Sequence, residues 1–190
     1  RTGKIFSSLE INSLLVDSEK EGEASVYRRV NESVFRPGTP RTVERAISHG
    51  THVLDLAAGG GEMQDVPIYA VQLPPEAFDD TSGIRLETHL VQGLRWMIAM
   101  TRLHGTPRLV VNLSLGASAG PKNGTSFVEA QLAREVRKAS QTAKPVKVEL
   151  VTAFGNDYRG RLSGRLKVDS QAREVGLVLA RNDLTASHVE

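Results

Sequence analysis

Leu109-Val110-Val111-Asn112-Leu113-Ser114-Leu115-Gly116 is a continuous apolar run that ends in Ser-Leu-Gly. Such a run predicts a strand that is buried on both faces of a parallel sheet. Helices and strands alternate around it, and we predict helices at 8–17, 50–58, 86–104 and 126–143 and strands at 68–73, 109–115 and 146–153. This alternation predicts an α/β fold in which helices flank a parallel sheet. A charged segment to about residue 40 is expected to be exposed, and β structure is expected after the last of these strands.

Length and composition exclude several classes of protein. The chain has 190 residues, of which 39% are hydrophobic, so one core of ordinary size is expected. A net charge of +2, with no basic stripe and interleaved aromatics, argues against a nucleic-acid partner. No apolar run reaches the roughly 18 residues of a membrane span. Because the chain has no cysteine, disulfides, thiolate metal sites and a cysteine nucleophile are excluded.

Two interpretations are open for residues 48–59, Ser48-His49-Gly50-Thr51-His52-Val53-Leu54-Asp55-Leu56-Ala57-Ala58-Gly59. In the first, residues 50–58 form a short helix that Gly59 caps. In the second, residues 53–56 are a strand and the glycines at 59–61 form a cofactor loop, which resembles that of S-adenosylmethionine-dependent methyltransferases. Only the six residues 62–67 separate these glycines from the next apolar run. A crossover connection takes a dozen or more, so the helix is favoured.

A third segment, Ala153-Phe154-Gly155-Asn156, follows a predicted strand. In this order, H-G-T-H-V, S-L-G and A-x-G-N resemble the motifs of subtilisin-like serine peptidases. The resemblance implies that His49 is the general base and that His52 packs in the interior. It also implies that Asn156 donates to the oxyanion. The remaining residues it assigns would align an extended substrate through their backbone, and they are Ser114, Leu115 and Gly116.

The nucleophile and the aspartate of this family are not evident. The G-T-S motif should follow Asn156, and no such motif does. Gly124-Thr125-Ser126 precedes it, and Ser126 with Glu129 forms the pattern of a helix capping box. Asp17 follows another capping-box pattern, Ser7-x-x-Glu10, and is therefore expected near the end of a helix rather than in a catalytic site.

The resemblance thus implies an internal part of a divergent bacterial subtilase, a partial subtilisin-like three-layer fold with a β-rich C-terminal extension. Residues 1–40 would be a helical and loop insert, 41–160 the incomplete core and 161–190 the start of a β-rich insertion. The implied activity is acyl transfer from a peptide or protein substrate to water, with the missing parts of the same protein as partners. No cofactor, metal ligand, nucleic acid or membrane is expected, and calcium sites and compartment stay open. The alternative is a non-catalytic interaction or regulatory domain on the same core. The chain alone is expected to be inactive.

Overall fold

The computed structural model describes residues 4–34, 49–59, 66–78, 84–115 and 124–153. Within these ranges the protein has five α-helices and a two-stranded parallel sheet, which confirms the predicted α/β class. The chain divides into two compact units, Arg1–Leu56 and Ala57–Glu190. The β-rich extension predicted after residue 160 lies outside the described residues, as do Gly116 and Asn156.

The first unit contains a pair of helices, α1 (Ser8–Glu21) and α2 (Glu23–Val34). Helix α1 ends at Gly22, whose φ of 85° lies in the region that favours glycine. The predicted helix at 8–17 is confirmed. Most of residues 18–34 are exposed, as expected, but residues 23–34 form a helix that was not predicted, α2, which buries Val26 and Asn31. The charged residues there obscured a helical pattern, since Val26 and Val30 are four residues apart and share a face.

Helix α3 (His49–Ala58) confirms the predicted helix and ends directly before Gly59. Its residues 53–56 are helical, so they do not form the strand that a methyltransferase cofactor loop would need. The interior packing expected for His52 is wrong, because no residue of α3 is buried. His52 lies one turn before Leu56, which is 75% exposed, so that side of the helix faces solvent.

The second unit is built on a strand–helix–strand element. Helix α4 (Ile84–Leu103) leads into β1 (Arg108–Leu113), and helix α5 (Phe127–Ser140) connects β1 to β2 (Lys147–Thr152). The strands are parallel, with Arg108 opposite Lys147 and Leu113 opposite Thr152. The helices predicted at 86–104 and 126–143 and the strands predicted at 109–115 and 146–153 are confirmed, with ends that differ by up to three residues.

The core of this unit lies on one face of the sheet. It comprises buried residues of α4, β1 and α5 together with the residue before β2, namely Val91, Leu94, Ile98, Leu109, Val111, Leu132, Ala139 and Val146. The expectation that β1 is buried on both faces is wrong, because Val110 points away from this core and is 61% exposed. The reason is that α4 and α5 both pack on the face that carries Leu109 and Val111.

The strand predicted at 68–73 is absent, and these residues have no regular secondary structure. They lie along α4 instead. The Tyr69 ring meets Trp96 edge-on, with 6.1 Å between ring centroids, and Val71 contacts Gly93 so closely that a Cβ there would lie 3.3 Å from its Cγ1. The apolar run that suggested a strand therefore packs against a helix, and the absence of a side chain at Gly93 permits this approach.

Candidate functional site

The two strands end side by side at one edge of the sheet. Because β1 and β2 are parallel and in register, Leu113 and Thr152 are neighbours at their carboxyl ends. The pairing extends one residue further, since the backbone N–H of Ala153 donates to the carbonyl of Leu113 at 3.4 Å. The chain therefore leaves β1 at Ser114 and β2 at Ala153 next to one another. Ligand sites of parallel sheets are found at such carboxyl edges.

At the opposite end of the sheet, where β1 and β2 begin, hydrogen bonds involve residues that precede the strands or lie in α4 and α5. The backbone N–H of Lys147 donates to Pro107 at 2.8 Å, and that of Val146 to Ala139 at 3.0 Å. The Arg102 guanidinium at the end of α4 donates to the carbonyls of Ala139 and Lys144, each at 3.2 Å. These bonds tie the ends of α4 and α5 to the start of β2, and they fix the register that brings Ser114 and Ala153 together.

At the carboxyl edge the side chains of β1 keep the alternation of a strand. Asn112 and Ser114 are exposed, whereas Leu113 and Leu115 between and after them are half-buried. The Ser114 hydroxyl donates to Oδ1 of Asn112 at 3.2 Å. Sequence reasoning selected Ser114 and Leu115 and missed Asn112. The available signal was the spacing of two residues, which places both polar side chains on one face of the strand.

Charge is distributed unevenly along this outer face. At the amino edge the Glu149 carboxylate accepts from Arg108 at 3.1 Å and lies 2.9 Å from the Lys147 ammonium. The hydrogen bond and charge of Lys147, with the charge of Arg108, hold the pKa of Glu149 below its ordinary value. The residues at the carboxyl edge, 112–115 and 151–153, carry no ionisable side chain.

His49, the predicted general base, is the first residue of α3 and is exposed. It belongs to the unit Arg1–Leu56, whereas Ser114 belongs to the unit Ala57–Glu190. Asn156, the predicted oxyanion donor, lies outside the described residues, which end three positions before it at Ala153. The structure thus brings together the starts of the two segments that follow β1 and β2, while the predicted base stands in the other unit.

Ser126 is engaged as a helix cap, as the sequence predicts. Its Oγ accepts from the backbone N–H of Glu129 at 3.3 Å, and its hydroxyl donates to the Glu129 carboxylate at 2.7 Å. This hydrogen bond is the main cause of the lowered pKa of Glu129. The hydroxyl of Ser126 is therefore used to cap α5, as the capping-box pattern predicts.

Asp17 is likewise accounted for by local structure. It lies in the second half of α1, and its carboxylate accepts from Arg29 of α2 at 2.6 Å. Arg29 also reaches Glu21 at 3.4 Å. These ion pairs join the two helices, and they give Asp17 a structural role that agrees with its predicted place near a helix end.

Within the described ranges, no group of three potential metal ligands is assembled, and no helix is both long and apolar enough to cross a membrane. Comparison with known proteins gave no match, whether to a family model, to a curated protein or to a solved structure.

Proposed function

We propose that this chain is part of a subtilisin-like serine endopeptidase and contributes a section of its three-layer core. The parallel pairing of β1 with β2 carries the proposal. It sets the starts of the Ser-Leu-Gly and Ala-x-Gly-Asn segments next to each other, at Ser114 and Ala153. A peptidase of this family needs these segments together, because one aligns the substrate and the other supplies the amide that meets the oxyanion.

In the proposed reaction a serine supplied by another part of the full-length protein attacks the peptide carbonyl. His49 takes the proton of that serine and then gives it to the leaving amine, and water hydrolyses the acyl-enzyme by the same steps. The side-chain amide of Asn156 donates to the oxyanion of the tetrahedral intermediate. Support for an external nucleophile comes from Ser126, which serves as a cap, and support for an external aspartate comes from the Asp17–Arg29 pair.

Steady-state kinetics of the full-length protein test these roles. We expect His49→Ala to abolish peptide cleavage. Asn156→Ala should lower kcat by about 10²–10³ with little change in KM, the range found for an amide in this role in subtilisin, because the charge it meets exists only at the tetrahedral stage. His52→Ala is the matched control, since this second histidine of α3 is exposed and should leave both kcat and the melting temperature unchanged.

Unchanged cleavage in His49→Ala would contradict the proposal, and a full-length protein that cleaves no peptide would favour the non-catalytic domain instead. The 190-residue chain itself should not react with a fluorophosphonate probe. Covalent labelling of Ser126, mapped by mass spectrometry, would show that the nucleophile had been placed wrongly.

A further inference from the structure

Positive charge is concentrated where the strands of the second unit begin. We call this region the basic end, and it consists of residues 102–108 and 135–149. It carries six cations, which are Arg102, Arg108, Arg137, Lys138, Lys144 and Lys147. Two carboxylates lie among them, Glu135 and Glu149. The formal charge of the basic end is therefore +4, whereas the whole chain has +2, so the remaining residues carry a net charge of −2.

Contacts between the segments bring these cations onto one surface. The Arg102 guanidinium donates to the carbonyl of Lys144 at 3.2 Å, and Arg108 lies opposite Lys147 in the register of the sheet. The Arg108 and Lys147 side chains are 64% and 69% exposed, and Arg137 and Lys144 are exposed too. Like charges that are gathered in this way repel one another, which disfavours the folded state.

The fold accounts for part of this charge. A cation near the end of a helix offsets the negative end of the helix dipole, and Arg102 of α4 and Lys138 of α5 meet that need. Lys144, in contrast, lies four residues beyond the end of α5. Among the described residues, neither Arg137 nor Lys144 has an ion-pair partner. The charge of these two exposed side chains is therefore available to a partner molecule.

The residues of the basic end favour carboxylates over other anionic groups. The Glu149 carboxylate already lies between two of its cations, 3.1 Å from Arg108 and 2.9 Å from Lys147. The basic end contains no Phe, Trp or Tyr on which a nucleic-acid base could stack. Leu103 is its single exposed large apolar residue, whereas a surface that binds a membrane inserts several.

We propose that the basic end binds an acidic segment of a polypeptide, in which several Asp or Glu side chains follow one another closely. The carboxylates of that segment pair with Arg137 and Lys144 and lie in the positive potential of the neighbouring cations. The inference goes beyond the proposed function, because none of these residues belongs to the three peptidase motifs.

Fluorescence anisotropy of a labelled oligoglutamate peptide with the 190-residue chain tests this proposal. The peptide should bind, and its affinity should fall as salt is added. Arg137→Glu and Lys144→Glu should each weaken binding by about 3- to 10-fold, since each replaces an attraction by a repulsion. Both positions are exposed, so the melting temperature should not change. Arg28→Glu makes the same change of charge at an exposed position of α2, and it should leave the affinity nearly unchanged.

An oligoglutamine peptide of the same length is the uncharged control and should not bind. Equal affinity for the two peptides, or a loss in Arg28→Glu as large as that in Lys144→Glu, would overturn the inference. Vesicles that contain phosphatidylserine and a DNA duplex are compared in the same buffer. Binding to either that is as tight as binding to oligoglutamate would also overturn it, because the surface would then not favour carboxylates. None of these measurements depends on cleavage, so they leave the peptidase assignment to its own test.

Discussion

Helices α1 and α5 begin with the same capping motif but lie in different environments. Each opens with a capping box, in which the backbone N–H of the glutamate donates to the serine Oγ at 3.3 Å, for Ser7 and Glu10 as for Ser126 and Glu129. Yet α1 buries no residue, whereas α5 buries Leu132 and two others. A cap satisfies the free N–H groups of the first turn and so sets where a helix begins. It carries no information about what the helix packs against.

The difference arises from position in the chain. Helix α5 connects two parallel strands, so its apolar face packs against the sheet and forms part of the core. Helix α1 contacts α2, and the bonds between them include the Arg29 ion pairs with Asp17 and Glu21. Its apolar residues stay in solvent, and Leu9 is 79% exposed.

The largest expected effect is a direct test of this contrast with one substitution in each helix. Leu132→Ala should lower the free energy of unfolding by about 2–5 kcal/mol, because it removes buried methyl groups and leaves a cavity. Leu9→Ala should change it by less than about 0.5 kcal/mol. Urea titrations followed by the fluorescence of Trp96, the single tryptophan, measure the cost of Leu132→Ala, and amide hydrogen exchange of α1 measures that of Leu9→Ala. Equal costs would show that α1 packs as tightly as α5.

Removal of the two helix caps should give the next largest difference in stability. Ser126→Ala should cost about 1 kcal/mol of global stability, since α5 unfolds with the core that it helps to form. Ser7→Ala should lose the same local bond but leave the Trp96 transition unchanged. Its effect should appear as faster amide hydrogen exchange in the first turn of α1. A shift of the global transition by Ser7→Ala would mean that the two units unfold together.

At acidic pH, the contribution of the buried Glu135 carboxylate to stability can be distinguished from that of exposed carboxylates. Hydrogen bonding from Arg95 at 2.7 Å, with its charge and that of Lys138, lowers the pKa of Glu135 from 4.5 to about 2, against the opposing effect of burial. In the unfolded chain the carboxylate protonates near 4.5, so the unfolded state takes up the proton first as pH falls. The contribution of Glu135 is fully present above pH 4.5 and is lost between there and pH 2.

Glu135→Gln should therefore cost about 1 kcal/mol at pH 7, since it replaces a charge-assisted bond whose Arg95 partner is half exposed. It should also reduce the loss of stability on going from pH 5 to pH 2.5, measured as the urea midpoint. The pKa values of Glu10 and Glu129 in the two caps are also lowered. Both carboxylates remain in this variant, so the loss of stability that it still shows at acidic pH includes their contribution. An unchanged pH dependence would contradict the role given to Glu135.

The smallest expected effect concerns the ion pairs of the α1–α2 pair. Arg29 and Asp17 are 47% and 33% exposed in their side chains, so Arg29→Ala should cost no more than about 0.5 kcal/mol, and less at high salt. Hydrogen exchange of α1 at low and high salt measures this. Arg28→Ala, at an exposed neighbouring position, is the control. A cost above that of the Ser126→Ala cap would show that these pairs dominate the stability of the first unit.

Local patterns in the sequence predicted most helices and both strands of the sheet. They failed where packing against another segment of the chain decides the local structure. Helix α2 was missed because its apolar residues are few among charges, although Val26 and Asn31 are buried. Residues 68–73 form a short apolar run of the kind found in buried strands, and they pack on α4 instead. His52 has the neighbours of an interior histidine and is exposed. Strand propensity describes a half-buried apolar surface, and a helix can cover such a surface as well as a neighbouring strand can.

For the candidate site the division is similar. The sequence by itself determined which segments carry the histidine, the Ser-Leu-Gly end and the Gly-Asn end, and it determined that Ser126 is a cap, because capping and strand patterns are read within a few residues. Only the tertiary structure decided that β1 and β2 are adjacent, parallel and in register. It also decided that one face of their sheet faces solvent and that the Ser114 hydroxyl donates to Asn112. Pairing and burial depend on contacts between residues far apart in the chain, and no local pattern encodes these.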